Sequence, residues 1–166
     1  LKGDVIYDIE DGFHSLYYHV DCLTTPPSWW PENVHISFKY KYNTPFTPNE
    51  IEAEFYTGIK IKNEKDAKKA SEKLLSLGVQ KVIITLGEKG LFYSDGTKDI
   101  FLEATKIKAL DTTGAGDAFN GAFALAISKS KPINECLEFA NKVAGLSTTK
   151  LGAGNSMPFI KDLKYY

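Results

Sequence analysis

The residues of this chain best suited to chemistry lie in Asp111-Thr-Thr-Gly-Ala-Gly-Asp117. This segment joins an apolar stretch ending at Leu110 to a helical pattern beginning near Gly116. The first backbone N–H groups of such a helix have no intrahelical partner and attract anions. Gly114 and Gly116 let the backbone approach a phosphate closely, because no side chain intervenes. Asp117 falls in the first helical turn and faces the same pocket. A carboxylate beside a phosphate is repelled by it, so the placement makes chemical sense if Asp117 takes a proton from an attacking hydroxyl. The plainer alternative is a tight strand-to-helix turn in which Asp117 only complements the helix dipole. Two other phosphate motifs are excluded by inspection. The Gly-Lys-Ser/Thr ending of a P-loop occurs nowhere, and Phe119 stands where a dinucleotide fingerprint needs glycine.

From Thr44 onward the pattern alternates helix and strand, as a sheet covered by helices does. Thr47-Pro48-Asn49-Glu50 reads as a helix start, with Thr47 as cap, Pro48 at the first helical position and Glu50 three residues after the cap. Gly58 is placed to stop that helix. A second helix is expected from Glu64 to Leu77, with Ala67, Ala70, Leu74 and Leu77 on one face and Gly78 past its end. The nearly all-apolar Val82-Ile-Ile-Thr-Leu86 reads as a central parallel strand buried on both faces. Leu91–Tyr93 and Ile100–Leu102 flank Asp95-Gly96 and predict an antiparallel hairpin. Lys106–Leu110 reads as a further short strand, and helices are expected over Gly116–Ser128 and Ile133–Thr149. Residues 1–43 carry acidic and aromatic stretches without a sustained period. They read as a divergent or irregular segment, with a short strand at Val34–Tyr40.

The 166 residues are 43% hydrophobic and 13% aromatic, enough for one domain with a real core. Twenty basic and twenty-one acidic side chains leave a formal net charge of -1, which points away from nucleic acid and membrane surfaces. An anionic ligand must therefore be held locally. Cys22 and Cys136 form no zinc-ligand spacing or disulfide framework, and no stretch has the length of a membrane span or the character of a signal peptide. A reducing cytoplasm is the expected setting.

Asp111-Thr-Thr-Gly-Ala-Gly-Asp-Ala-Phe-Asn-Gly121 resembles the second signature of the ribokinase family of carbohydrate kinases, also called the PfkB family. Three further segments match in order: Thr47-Pro-Asn-Glu-Ile-Glu-Ala-Glu54 with Thr57-Gly58, Ile84-Thr-Leu-Gly-Glu-Lys-Gly90, and Gly152-Ala-Gly-Asn-Ser-Met-Pro158. The resemblance implies a three-layer α/β fold, with a mostly parallel sheet and helices on both faces. It also implies phosphorylation of ribose by ATP, with Mg²⁺ and K⁺ as cofactors. Within the family, the first and last of these added segments look more like ribokinase than like adenosine kinase or fructokinase. By resemblance, Asp117 matches the catalytic base, and Gly114, Ala115 and Gly116 match the anion hole. Asn49 and Glu52 match an Asn-x-x-Glu pair associated with magnesium and phosphate, although such a pair also makes an ordinary solvated first turn. Thr85, Gly87 and Gly90 match the nucleotide-contacting strand end, and Asn141 a position near the adenine. Asp111, Thr113, Ser147, Lys150, Gly152 and Ser156 match positions that bind a monovalent cation. For Gly87–Gly90 a plain turn, for Asn141 an exposed helix face and for Asp111 a helix-approach cap remain the alternatives.

The resemblance extends over about Thr44–Pro158. The family's sugar-binding half, its first signature and its small sheet lid find no match in Leu1–Asn43, and the chain does not open on Met. The expectation is a chain truncated or divergent at its N-terminal side. One alternative follows: an ATP-binding remnant or regulatory partner that phosphorylates nothing. Another is a kinase of the same family for a different sugar or nucleoside. The lost cover over Val82–Leu86 also leads us to expect self-association, a homodimer included.

Overall fold

A computed structural model describes residues 45–165. The expected irregular segment 1–43 and its strand at Val34–Tyr40 lie outside the described residues. Helix α1 (Glu50–Thr57) begins at Asn49, whose side chain accepts from the N–H of Glu52 while Glu52 accepts from the N–H of Asn49, each at 2.9 Å. The helix therefore starts two residues later than the Thr47 cap that the sequence suggested. The delay has a cause in the backbone: residues 46–49 stay extended because they pair with the strand that follows α2. Phe46 N–H donates to the Lys81 carbonyl at 2.8 Å, Ile83 N–H to that of Phe46 at 2.8 Å, and Thr85 N–H to that of Pro48 at 2.9 Å. Gly58, at φ 70°, ends α1 in the left-handed conformation that glycine adopts without strain.

Helix α2 (Glu64–Ser76) is capped by Asn63, whose side chain accepts from the N–H of Asp66 at 3.1 Å. It buries Ala67, Ala70 and Leu74. Strands β1 (Val82–Thr85), β2 (Leu91–Ser94) and β3 (Asp99–Leu102) form one sheet in that order, with antiparallel pairing throughout. The predicted hairpin is in place. The predicted parallel character of Val82–Leu86 is present on one side only, as parallel bridges from Phe46 to Val82 and from Asn49 to Thr85. Lys106–Leu110 forms no strand among the described residues. Its last N–H, that of Leu110, goes to the Thr148 carbonyl at 2.7 Å, at the end of a helix, so it is not available to a sheet.

Helices α3 (Ala115–Ser128) and α4 (Ile133–Ser147) pack against each other along their length. The sheet separates two cores, and the alternation of side chains along β1 sorts them. Ile83, Leu91 and Tyr93 join Ala118, Phe119, Ala122, Phe123, Leu137 and Ala140 on the α3/α4 side. Val82, Ile84, Leu86 and Phe92 join Ala53, Ala67, Ala70 and Leu74 on the α1/α2 side. The result is the expected three layers, helices on sheet on helices. Among the described residues no helix is long and apolar enough to cross a membrane.

Candidate active site

The turn into α3 is built around Gly114, at φ 80° and ψ 3°, which caps the helix without a side-chain hydrogen bond. A side chain at this φ is strained, and there is no room for one. A Cβ on Gly114 would lie 2.9 Å from Ala153 Cβ and 3.4 Å from Met157 Cε. The segment 152–157 thus backs the turn directly. Ala115 N–H donates to the Thr112 carbonyl at 3.1 Å, whereas the N–H groups of Gly114, Gly116 and Asp117 make no hydrogen bond among the described residues. Gly116 has open space around it, and Asp117 is exposed beside it. Three unbonded amides at a helix N-terminus, with a carboxylate in the same turn, can hold an anion and place a base next to it.

Asp111 fixes this cradle to the rest of the fold. One carboxylate oxygen accepts from Gly152 N–H and the other from Thr113 N–H, both at 2.9 Å. The Gly152 amide, with help from Thr113, holds the Asp111 carboxyl down to about 2. Ser156 is buried, and its hydroxyl donates to the Ala153 carbonyl at 2.9 Å, which sets the segment against Gly114. Ser147 is also buried and donates to the Ala144 carbonyl at 2.8 Å; Lys150 is exposed. The structure therefore unites Asp111, Thr113, Gly114, Gly152 and Ser156 in one connected unit. Sequence reasoning had named all five but had not seen that Ala153 and Met157 support Gly114. The small residue after Gly152 was the available signal.

A second group gathers at the end of β1. The parallel bridge sets Asn49 beside Thr85, so the start of α1 and the turn after β1 are neighbours. Glu52 is exposed, and one of its oxygens is held by Asn49 N–H; the other has no partner among the described residues. Gly87, at φ 54°, opens a single 3₁₀ turn over Gly87–Lys89 with open space where a Cβ would stand. Gly90 differs. At φ 109° it presses against the backbone of Leu102–Ala104, so the close approach to the strand end of β3 requires glycine there. Asn141 donates its side-chain N–H to the carbonyl of Glu103 at 2.7 Å, within the backbone stretch that Gly90 packs against. A cleft of about 250 Å³ lies among Ile61, Lys62, Asn63, Glu64, Leu86, Lys89 and Phe101. Leu86 and Phe101 belong to the core opposite α3, and Asp117 does not line it.

No group of three or more His, Cys, Asp or Glu side chains is assembled as a metal cage among the described residues. The free oxygen of Glu52 fits an ion that keeps most of its water and meets the protein through one carboxylate, as Mg²⁺ does.

The model of the pfkB family carbohydrate kinases matches residues 26–160, and so reaches into the segment for which no resemblance was read. The ribokinase of Haemophilus influenzae is 42% identical over 112 residues, covering 68% of this chain and 37% of that protein. A deoxyribokinase of Salmonella typhi is 33% identical over 121 residues, 73% of this chain and 40% of that one. The structure of Arabidopsis thaliana ribokinase complexed with ribose and ATP superposes with a TM-score of 0.68 at 37% identity, over 72% of this chain and 39% of that chain. The chain thus spans about two fifths of the length of these relatives. The order of its elements, the motif at the start of α3 and the family match over most of its length agree: the chain belongs to the pfkB family of carbohydrate kinases.

Proposed function

We propose that this chain carries the nucleotide-binding and phosphoryl-transfer part of an ATP-dependent ribokinase-type sugar kinase, acting on ribose to give ribose 5-phosphate and ADP. The observation that carries the reading is the left-handed turn at Gly114, with the amides of Gly114, Gly116 and Asp117 unbonded among the described residues and the Asp117 carboxylate in the same turn. In phosphoryl transfer the protein contributes mainly position and charge stabilisation, because the transition state is loose and its charge spreads over the transferred oxygens. Gly114, Ala115 and Gly116 would offer N–H groups to that charge, the Ala115 amide after letting go of Thr112. Asp117 would take the proton of the attacking sugar hydroxyl, late in the step, when position matters more than basicity.

Asn49, beside Thr85, would face the phosphates from the other side, and Glu52 would hold a bound Mg²⁺ through the ion's water shell. Magnesium supplies charge neutralisation on the phosphate oxygens when bound. Carbonyl groups around Asp111, Thr113, Ser147, Lys150, Gly152 and Ser156 are the proposed seat of K⁺. Ser147 and Ser156 keep their lone pairs free, since each hydroxyl acts as donor to a carbonyl. Cytoplasmic residence fits nucleotide and sugar substrates. Calorimetric titration of the chain with Mg-ADP and Mg-ATP is the test, and no heat or thermal shift at millimolar nucleotide would end this reading. A second reading keeps the chemistry and changes the sugar: the likeness to a deoxyribokinase supports a pentose lacking the 2-hydroxyl. Side-by-side assay of ribose and deoxyribose, with the chain in a catalytically complete context, separates the two.

A further inference from the structure

Helices α3 and α4 each carry a glycine well inside the helix, and only one of the two is explained by its neighbours among the described residues. Gly145 in α4 lets the incoming chain lie close, since a Cβ there would stand 3.2 Å from Ile107 Cδ1 and 3.3 Å from Thr105 Cβ. Gly121 in α3 admits nothing of the kind: a Cβ there would meet no atom within 4 Å. Glycine inside a helix is less stable than alanine, so Gly121 weakens α3 without any return from this part of the fold. The face on which it lies is also unlike the others. Asp117, Gly121, Ala124, Leu125 and Ser128 are all exposed, and their three- and four-residue spacing makes them one stripe. No charged residue occurs from Ala118 to Ser128. By contrast every exposed position of α2 except Ser76 is charged, and those of α4 are Asn134, Glu135 and Glu138. Leu125 stays 41% exposed, and Ile127 at the border of the stripe 47%.

We infer that this stripe of α3 is the seat of the sugar-binding half of a pfkB-family kinase, and that Gly121 is where that half comes closest to the helix and so sets its distance from Asp117. The inference rests on the proposed function and deepens it. The chain covers 37% of the Haemophilus influenzae ribokinase and 40% of the Salmonella typhi deoxyribokinase, so most of each relative has no counterpart in the match and is left to find a place against it. The stripe also begins at the proposed base, with Gly121 about one helical turn beyond Asp117. An element laid along it stands beside the carboxylate, where a sugar hydroxyl must be held for its proton to be taken. An uncharged face suits such cover, because burying it strands no charge. Gly121 is thus a positioning residue, acting through the half that covers it.

The first measurement needs only the whole chain. Gly121→Ala should raise its melting temperature, because alanine favours the helix and meets nothing, and should leave ADP binding unchanged. A lowered melting temperature would show that the glycine serves this part of the fold, and would overturn the inference. The second measurement supplies the occupant: the part of Haemophilus influenzae ribokinase outside the match, co-expressed with the chain as a separate polypeptide and followed by co-purification and sedimentation. The parent chain should keep it soluble and bind it. Gly121→Leu and Leu125→Lys should each weaken the complex about tenfold or more, as substitutions at the centre of an interface do, and Lys73→Ala on α2 should leave it intact. With ATP and ribose, Gly121→Ala should lower the kcat of the complex while the KM for ATP stays as it was; an unchanged kcat would overturn the role given to Gly121. Failure to associate, a complex indifferent to both stripe substitutions, or a dimer of the chain on the same stripe in place of the complex would each overturn the inference. Association needs no nucleotide, so a parent chain that binds no ADP ends the kinase reading and leaves the seat on α3 to be decided by sedimentation.

Discussion

Two turns of this molecule use nearly the same residue types for opposite ends. The hairpin turn after β2 contains Asp95-Gly96-Thr97-Lys98, and the turn before α3 contains Asp111-Thr112-Thr113-Gly114. In the first, every donor is consumed. Asp95 accepts from Thr97 N–H at 2.9 Å, Lys98 N–H at 2.8 Å, Thr97 hydroxyl at 2.7 Å and Tyr93 hydroxyl at 3.0 Å. In the second, Asp111 fixes the frame through Thr113 and Gly152, and the amides of Gly114, Gly116 and Asp117 remain open among the described residues. The first amides of a helix lack partners within it and are met by water or by an anion, so the second turn can accept an anion where the first cannot. Composition alone does not separate the two turns; the accounting of hydrogen bonds does.

The sharpest way to break that contrast is at Asp117. In a catalytically complete context Asp117→Asn should lower turnover by about 10² to 10⁴ while nucleotide affinity stays within a fewfold, because the amide keeps the shape and loses the proton acceptor. Steady-state kinetics beside calorimetry reads both, and a variant keeping more than about a tenth of the parent rate would falsify the assignment of a base. Next in size is Gly114→Val. It forces a branched side chain into a left-handed turn and against Ala153, which should cost about 1–3 kcal/mol of stability and abolish detectable nucleotide binding. Unaltered ADP binding in a folded Gly114→Val chain would show that the cradle is not where the phosphates sit. Asp95→Ala is the control in the closed turn. It strands the hydroxyl of the buried Tyr93 and unties the hairpin end, for about 1–2 kcal/mol by thermal unfolding, with nucleotide affinity unchanged.

Much of this contrast was legible before the structure. The helices at Glu64, Ala115 and Ile133 start within a residue of where their patterns put them, because each has a strong apolar period, and α2 and α3 are also bounded by glycines. What could not be read were long-range partners. Thr47-x-x-Glu50 and Asn49-x-x-Glu52 are equally good local caps, and only the pairing of residues 46–49 with β1 decides for Asn49. Lys106–Leu110 has the alternation of a strand, yet its terminal amide goes to the carbonyl of Thr148, whose side chain gives no hint of that duty. The site shows the same division. Asp111 and Gly152 were named from motifs 41 residues apart, but that they bind each other is a fact of the fold.

The smallest effect is also the most direct comparison of the two turns, because Asp95 and Asp111 titrate alike for different reasons. Partial burial raises the Asp95 pKa, but hydrogen bonds from Thr97, Lys98 and Tyr93 outweigh it and bring the group to about 2. Asp111 reaches about 2 through Gly152 and Thr113. Both values lie below the ordinary 3.8, so each carboxylate contributes stability that is fully present above about pH 4 and is lost as the pH falls through about 2. By linkage the two losses should be of similar size, and they should differ in where they show first. Protonating Asp95 loosens a hairpin that lies between both cores, and it should lower the melting temperature of the whole domain. Protonating Asp111 releases only the loop that frames the cradle, so exchange should quicken at Thr113 and Gly152 before any global melting. Carboxyl chemical shifts followed from pH 5 to pH 1.5, with amide exchange at the same points, test both statements. Asp95→Asn and Asp111→Asn should each flatten part of the acid limb of the melting curve, and Asp111→Asn should in addition show loosened Thr113 and Gly152 at neutral pH. Either group titrating near its ordinary value would show that its hydrogen bonds do not persist in solution, and for Asp111 that the cradle is not held in place before its ligand arrives.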